Sequence, residues 1–271
     1  MIDTHAHLNF EVFKKDYQEV TGRSFDNQVK AIINVGSDLT TSERACQIAK
    51  ESSKVYAAVG LHPIHVKDED FEEKKYEALI NENKQYIKAI GETGLDYFHV
   101  FQEVKETKKQ KEIIEKQKEV FKRHIDLAKR FNLPVILHSR SLGSESEKSY
   151  LDLLSIIQKL KFLPKGVVHC FSASWQIAEK FLEKGFYLGL NGVITFPNFK
   201  YKEVVEKTPL EKIVLETDCP YLAPQQVRGT RNEPKNIFYI AQEIARIKNK
   251  TLKEVSMATD QNATRLFSLG E

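Results

Sequence analysis

The chain has 271 residues, 41% of them hydrophobic, which suffices for a sizeable core and lies close to the ~250 residues of one TIM barrel. Lysine and arginine (41) nearly balance aspartate and glutamate (38), so the net charge of +3 gives no general affinity for polyanions, and an anionic partner must be met by a local patch. Cys46, Cys170 and Cys219 form no Cys-x-x-Cys pair, which excludes a zinc ribbon and a disulfide framework, while the polar start Met1-Ile2-Asp3-Thr4-His5 and the lack of an apolar run of ~20 residues point to a cytoplasmic protein without signal peptide or membrane span.

From the N-terminus, short β-rich apolar runs recur, each followed by a longer charged amphipathic stretch. Strands are predicted at 2–4, 30–35, 54–59, 86–90, 133–137, 166–168, 186–190 and 212–215. Helices are predicted between them at 41–52, 71–83, 111–131, 150–160, 175–184 and 201–207, followed by 234–248 and 252–269. Strict strand–helix alternation implies a parallel sheet, and eight such units imply a closed (β/α)8 barrel; a doubly wound open sheet is the alternative. No Gly/Ser/Pro-rich linker and no repeat of 20–50 residues interrupts the pattern, so residues 1–271 are expected to form a single domain. Segment 104–119 alternates lysine and glutamate densely. It reads as a solvated helix with i,i+4 pairs, or, more sharply, as a nucleic-acid-binding helix diluted by its acids.

Five of the eight histidines, His5, His7, His62, His138 and His169, fall at or just past the C-terminal end of a predicted strand, as do Glu92 and Asp218. In a barrel those ends open on one face, where active sites form. Within a strand, residues i and i+2 point to the same side, so the imidazoles of His5-Ala6-His7 can share one metal. Glu92, in Gly91-Glu92-Thr93-Gly94-Leu95-Asp96, has two carboxylate oxygens with which to bridge two cations. His138 ends Pro134-Val135-Ile136-Leu137 and His169 ends Gly166-Val167-Val168; their i−2 neighbours should share the barrel-facing side. Leu215-Glu216-Thr217-Asp218-Cys219-Pro220 carries two acids out of a buried strand, which is costly unless they are paired or metal-bound. Asp218 suits a ligand that also takes a proton from water, and Glu216 a supporting position behind the ligands. Alternation turns Cys170 away from His169. Imidazoles and carboxylates together suit Zn²⁺, Mn²⁺ or Co²⁺, and Mg²⁺ where carboxylates dominate. With no nucleophile elbow or Walker loop present, metal-assisted hydrolysis is the expected reaction class.

These stretches resemble the TatD-like metal-dependent hydrolases of the amidohydrolase superfamily. The resemblance rests on Asp3-Thr4-His5-Ala6-His7-Leu8, Gly60-Leu61-His62-Pro63, Gly91 through Tyr97, Leu137-His138-Ser139-Arg140, His169-Cys170-Phe171, Glu216 through Pro224 and Arg228 through Pro234, in the family order and over nearly the whole chain. It implies a barrel with a two-metal site. His5, His7, Glu92 and Asp218 would hold one ion, Glu92, His138 and His169 the other, with Glu92 bridging and His62 catalytic outside the metal shell. It also implies hydrolysis of DNA, often as a 3′-to-5′ exonuclease on single strands supported by Mg²⁺. A deacylase or esterase acting on a small or RNA-linked substrate is the alternative, since a family fixes mechanism better than substrate.

Three departures from the family pattern touch loops expected to line the cleft. Ile64 and then His65 follow His62-Pro63 where a second histidine is common, Ser141-Leu142-Gly143-Ser144 follows Arg140 where aspartate is common, and the segment after Tyr97 is long. Arg140 and Arg228 are candidate phosphate contacts, with Arg231 and Lys235 nearby. Tyr97, Phe98, Phe171, Trp175 and Phe196 are candidates for stacking on unpaired bases. DNA is therefore the expected partner, and nothing in the sequence calls for a membrane or an obligatory protein partner.

Overall fold

A computed structural model describes residues 1–143 and 147–270, leaving Ser144 of the loop after Arg140 outside the described residues. Eight parallel strands follow one another in sheet order: β1 (Ile2–Ala6), β2 (Ala31–Val35), β3 (Val55–Val59), β4 (Ile87–Asp96), β5 (Val135–Arg140), β6 (Gly166–Val168), β7 (Tyr187–Leu190) and β8 (Ile213–Leu215). The ring closes just beyond β8. Ala6 pairs with Cys219 in a parallel bridge, the His7 amide donates to the Cys219 carbonyl (2.8 Å), and the Asp218 amide donates to the His5 carbonyl (2.8 Å). This is the expected (β/α)8 barrel.

The helices are α1 (Tyr17–Asp26), α2 (Leu39–Glu51), α3 (Glu73–Glu82), α4 (Tyr97–Glu103), α5 (Thr107–Phe131), α6 (Lys148–Gln158), α7 (Trp175–Glu183), α8 (Lys202–Lys207), α9 (Ile237–Lys248) and α10 (Leu252–Phe267). Their start signals are chemical: Asp38 caps α2 and Thr251 caps α10, each closing a capping box with the residue three positions on. Two helices do not follow from the apolar pattern. The inner face of α1 buries only Val20, Thr21 and Ser24, and α4 buries only Tyr97 and Val100, too little periodicity to stand out. Among the described residues no helix is long and apolar enough to cross a membrane.

Alternation along the strands sorts the side chains into two layers. Ile32, Val59, Ile90, Val135, Leu137, Val168, Leu188 and Leu215 face outward and pack under the helices. Ala31, Ile33, Val35, Ala58, Ala89, Ile136, Val167, Tyr187 and Val214 fill the barrel interior, and the end of α10 joins them through Ala263, Leu266, Phe267 and Leu269. The barrel is therefore a packed core floored by α10, and only the C-terminal mouth is left for chemistry. Ile136 and Val167, two residues before His138 and His169, do lie on the inner face.

Phe267 is buried at the centre of this floor. Replacing it with alanine should lower the unfolding free energy by about 3–5 kcal/mol, the usual range for a buried Phe→Ala. Urea unfolding followed by far-ultraviolet circular dichroism is the check; an unchanged midpoint would show that α10 does not support the barrel.

Candidate metal centre

The strands run further than their apolar stretches. His5 and His138 lie within β1 and β5, and Glu92 within a β4 that continues to Asp96, because the residues lining the mouth turn polar while the backbone pairing continues. Gly94 permits this: at φ +145° a Cβ would sit 2.1 Å from the His138 carbonyl oxygen, so only glycine lets β4 pass β5 there. Past β8, Asp218 adopts the left-handed region (φ +57°), which breaks the strand path at the point where its carboxylate joins the cluster.

The other five expected ligands, His5, His7, His138, His169 and Asp218, gather around Glu92, with His62 beside them. One carboxylate oxygen, Oε2, lies 3.3 Å from His5 Nε2, which in turn lies 3.2 Å from His7 Nε2. Asp218 Oδ1 stands 3.4 Å from His7 Nε2, 3.8 Å from His5 Nε2 and 3.6 Å from His169 Nε2. The other oxygen of Glu92, Oε1, faces His138 Nδ1 at 2.7 Å, His62 Nε2 at 3.5 Å and His169 Nε2 at 3.8 Å. Three sets of side chains bring donor atoms close enough to hold a cation: His5, His7 and Asp218; His5, His169 and Glu216; and His62, Glu92 and His138. None contains a cysteine, and burial pushes the Cys170 and Cys219 thiols above their ordinary range, as expected for cysteines outside a metal shell.

The second nitrogen of each imidazole decides what the first can do. His7 Nδ1 lies 2.8 Å from the Val35 carbonyl and must be its protonated nitrogen, so Nε2 offers a lone pair to the cluster. His138 Nε2 lies 3.0 Å from Asp96 Oδ2, which frees Nδ1 in the same way. His169 Nδ1 stands 3.0 Å from Glu216 Oε2, an ion-pair contact rather than an aligned hydrogen bond. Glu216 also accepts the Cys170 amide (2.6 Å), and its carboxylate occupies the space that Gly189 leaves, where a Cβ would stand 2.3 Å from Oε2. His62 is the reverse case. Its Nδ1 accepts the Ile64 amide (3.1 Å), so a neutral ring carries its proton on Nε2 and faces the cluster as a donor. Proximity groups His62 with Glu92 and His138 as a possible cation ligand, whereas in this tautomer its Nε2 carries a proton and offers no lone pair.

The donor set fits divalent cations: buried carboxylates and imidazole lone pairs point at one another at distances that require either shared protons or a cation between them. Without a cation, protons hold the cluster together. Burial opposes the charge on His169, but Glu216, Glu92 and Asp218 outweigh it and push its pKa up to about 10; burial likewise opposes His138, which Asp96 and Glu92 push up to about 9. Burial and the neighbouring His138 push His62 down to about 4, so it is neutral at physiological pH. Burial opposes ionisation of Glu92 and Asp218 too, yet the surrounding imidazoles hold both below the usual carboxylate range.

Two supporting residues escaped the sequence reading. Asp96 receives both His138 and, through Oδ2 at 2.9 Å, His99 Nδ1; Asp3 accepts the Thr217 amide (2.9 Å) and hydroxyl (2.6 Å) and the His5 amide (3.2 Å). Both stand inside quoted motifs, Asp3 two residues before His5 and Asp96 four residues after Glu92, and that proximity was the available signal. Arg140 and Arg228 are exposed, Arg140 stacking over Phe98 (4.0 Å to the ring centroid) and Arg228 over Phe196 (4.8 Å). Other expectations fail. Arg231 and Lys235 are not free phosphate contacts: Arg231 binds both oxygens of Asp16 and the Val12 carbonyl, and Lys235 pairs with Glu233 at 3.5 Å. Tyr97 and Phe171 are buried and unavailable for stacking, and Trp175 lies beneath Lys207.

The profile of TatD related DNases matches residues 2–268. The chain is 38% identical over 271 residues to the uncharacterized metal-dependent hydrolase YabD of Bacillus subtilis, covering 99% of each, and 31% identical over 275 residues to the uncharacterized metal-dependent hydrolase YcfH of Escherichia coli K12, covering 99% of this chain and 96% of that one. Among solved structures it is similar to YjjV, a TatD homolog of Escherichia coli K12 (TM-score 0.87, 28% identity, covering 100% of this chain and 98% of that one), and in fold to a TatD family hydrolase of Entamoeba histolytica (TM-score 0.84, 23% identity, covering 100% and 98%).

Since His138 and His169 hold protons at neutral pH and a cation needs their lone pairs, metal uptake should release protons, and apparent affinity should rise as pH rises toward 9–10. Calorimetric titration of Zn²⁺ in buffers of different ionisation enthalpy measures the release. Asp96→Asn, which removes the charge that raises His138, should diminish it.

Proposed function

The chain belongs to the TatD related DNase family of metal-dependent hydrolases, and on that premise we propose that it hydrolyses phosphodiester bonds in DNA with two divalent cations (Mg²⁺, Mn²⁺ or Zn²⁺), taking single-stranded or frayed ends in preference to intact duplex. The observation that carries the reading is the placement of Glu92: its two oxygens face two different groups of donors, His5 on one side and His138 and His169 on the other. His5, His7, Glu92 and Asp218 would hold one ion and Glu92, His138 and His169 the other. When bound, a pair of divalent ions supplies Lewis acidity at the phosphoryl oxygens and an acidified water at neutral pH.

The chain's own residues do the rest. Asp218, at the rim of the cluster, accepts the proton of the attacking water on its carboxylate. His62 donates the Nε2 hydrogen bond to the phosphoryl or leaving oxygen, an arrangement fixed by the Ile64 amide on its other nitrogen. Neutral His62 stabilises charge by hydrogen bonding first and transfers its proton only as the leaving oxygen gains basicity. Arg140 and Arg228 contact flanking phosphates by their edges, while the aromatic rings beneath hold the guanidinium planes in place. The donor atoms are buried below the rim, so a continuous base-paired backbone cannot reach them, whereas a terminal or unpaired nucleotide can bend in. The Asp96 and Glu216 carboxylates keep His138 and His169 oriented.

Asp218→Asn should keep the melting temperature near wild type at equal metal loading and lose most turnover, because the amide retains the shape without the charge or basicity. Near-normal turnover would remove Asp218 as proton acceptor.

His62→Ala should slow cleavage by roughly 10²–10⁴-fold with both ions still bound. End-labelled single-stranded, blunt-duplex and circular DNA, assayed with Mg²⁺, Mn²⁺, Co²⁺ and Zn²⁺, test this and the substrate together. Circular duplex cut as fast as single-stranded ends overturns the access argument. No DNA cut under any metal, with a small ester turned over, replaces the nuclease with an esterase.

A further inference from the structure

Helix α5 is 25 residues long, about twice the length of α2 or α9, and its surplus lies on one side of the barrel. Gln117 fixes its height. The side-chain oxygen of Gln117 accepts the Asp96 amide (3.0 Å), and its nitrogen donates to the Asp96 carbonyl (3.2 Å) and to the Pro63 carbonyl (3.0 Å). Asp96 is the last residue of β4, so the ten residues before Gln117 rise beyond the strand end on the side of the metal cleft, by about 15 Å at 1.5 Å per residue. The overhang is braced. Gln110 donates to the Val104 carbonyl (2.6 Å), Lys116 pairs with Asp70 (2.8 Å), and Glu103 is held by Lys67.

Charge is distributed unevenly along it. At the foot of the overhang, Lys116 and Lys118 are neutralised by Asp70, Glu115 and Asp152. On the overhang and just before it, Lys105, Lys109 and Lys111 are exposed and make no ion pair among the described residues, Lys108 pairs loosely with Glu112 (4.0 Å), and the exposed Glu106 stands among them. Between this basic stretch and the cleft runs α4. Phe98 and Phe101 lie three residues apart and therefore on one face of α4. Phe98 carries Arg140 at the rim and Phe101 is 37% exposed. Aromatic faces interleaved with unpaired cations, leading outward from a cleft, are what an unpaired polynucleotide needs: surfaces for its bases and counter-charges for its phosphates.

We infer that Phe101 on α4, Lys105 between α4 and α5, and Lys108 and Lys109 in the first turn of α5 form a track for the single-stranded segment that trails from the nucleotide held in the metal cleft. The inference rests on the nuclease reading for its direction but makes its own claim about binding. The track contacts nucleotides several positions from the reacting bond, so it sets how affinity grows with strand length.

The test compares wild type with Lys105→Gln/Lys108→Gln/Lys109→Gln and with Phe101→Ser, all exposed positions, after circular dichroism and metal content are matched. Anisotropy of a labelled, phosphorothioate-linked 25-nucleotide single strand, which resists turnover, is read on the metal-loaded proteins across a salt series, beside a 4-nucleotide strand and a blunt duplex. The triple variant should bind the long strand about tenfold more weakly, and its log–log salt slope should be shallower by about 2, from three phosphate contacts at about 0.7 each. The gain in affinity from 4 to 25 nucleotides should shrink in both variants. Equal affinity and slope for wild type and the triple variant overturn the track, as does a wild type that binds no single strand or binds the duplex as tightly. If wild type cuts no DNA with any metal but binds the long strand through these residues, the nuclease reading falls and the track stands.

Discussion

A carboxylate buried at the centre of the barrel mouth sets the terms for everything around it. Glu92 is 3% exposed, and an ionised group that far from water costs several kcal/mol unless it is compensated on every side. Imidazoles from β1, β5 and the ends of β3 and β6 supply the compensation, and all but His5, whose buried Nδ1 has no hydrogen-bond partner, engage a group outside the cluster through the second nitrogen. The demand passes outward to the Val35 carbonyl at the end of β2, to Asp96 on β4, to the Ile64 amide beyond β3 and to Glu216 beyond β8. Glu216 in turn needs the bare backbone of Gly189 on β7, and Asp96 needs Gln117 on α5. One buried charge thus constrains residues on or just beyond all eight strands.

The parts of this arrangement that sequence made legible are those carried by local contrast. A histidine at the end of an apolar run stands out, and five of them at the ends of four strands are not scattered surface residues. Strand lengths were less legible. The fourth strand reads as 86–90 because Gly91-Glu92-Thr93-Gly94 looks like a turn, yet pairing with β5 continues to Asp96. Least legible were pairings between distant positions. Nothing near Arg231 in the sequence announces Asp16, 215 residues away, so an arginine that reads as a free phosphate contact is already neutralised. The tie from Asp96 to His138 spans 42 residues and has the same opacity, although both residues sit in recognisable motifs.

Floor and rim of the mouth answer to different constraints. The floor is crowded and every polar group there is conditioned by several others, so a substitution propagates. The rim is made of exposed pairs such as Arg140 on Phe98 and Arg228 on Phe196, which touch few partners and can change independently.

The ring is closed by the chain's two ends. His5 and His7 meet Asp218 at the bridge between Ala6 and Cys219, and Asp3 meets Thr217 across 214 residues. A ribosome delivers the first two histidines early and their carboxylate partner only after four-fifths of the chain has emerged. The donor side chains of the first and last strands therefore come together in the same event that seals the barrel.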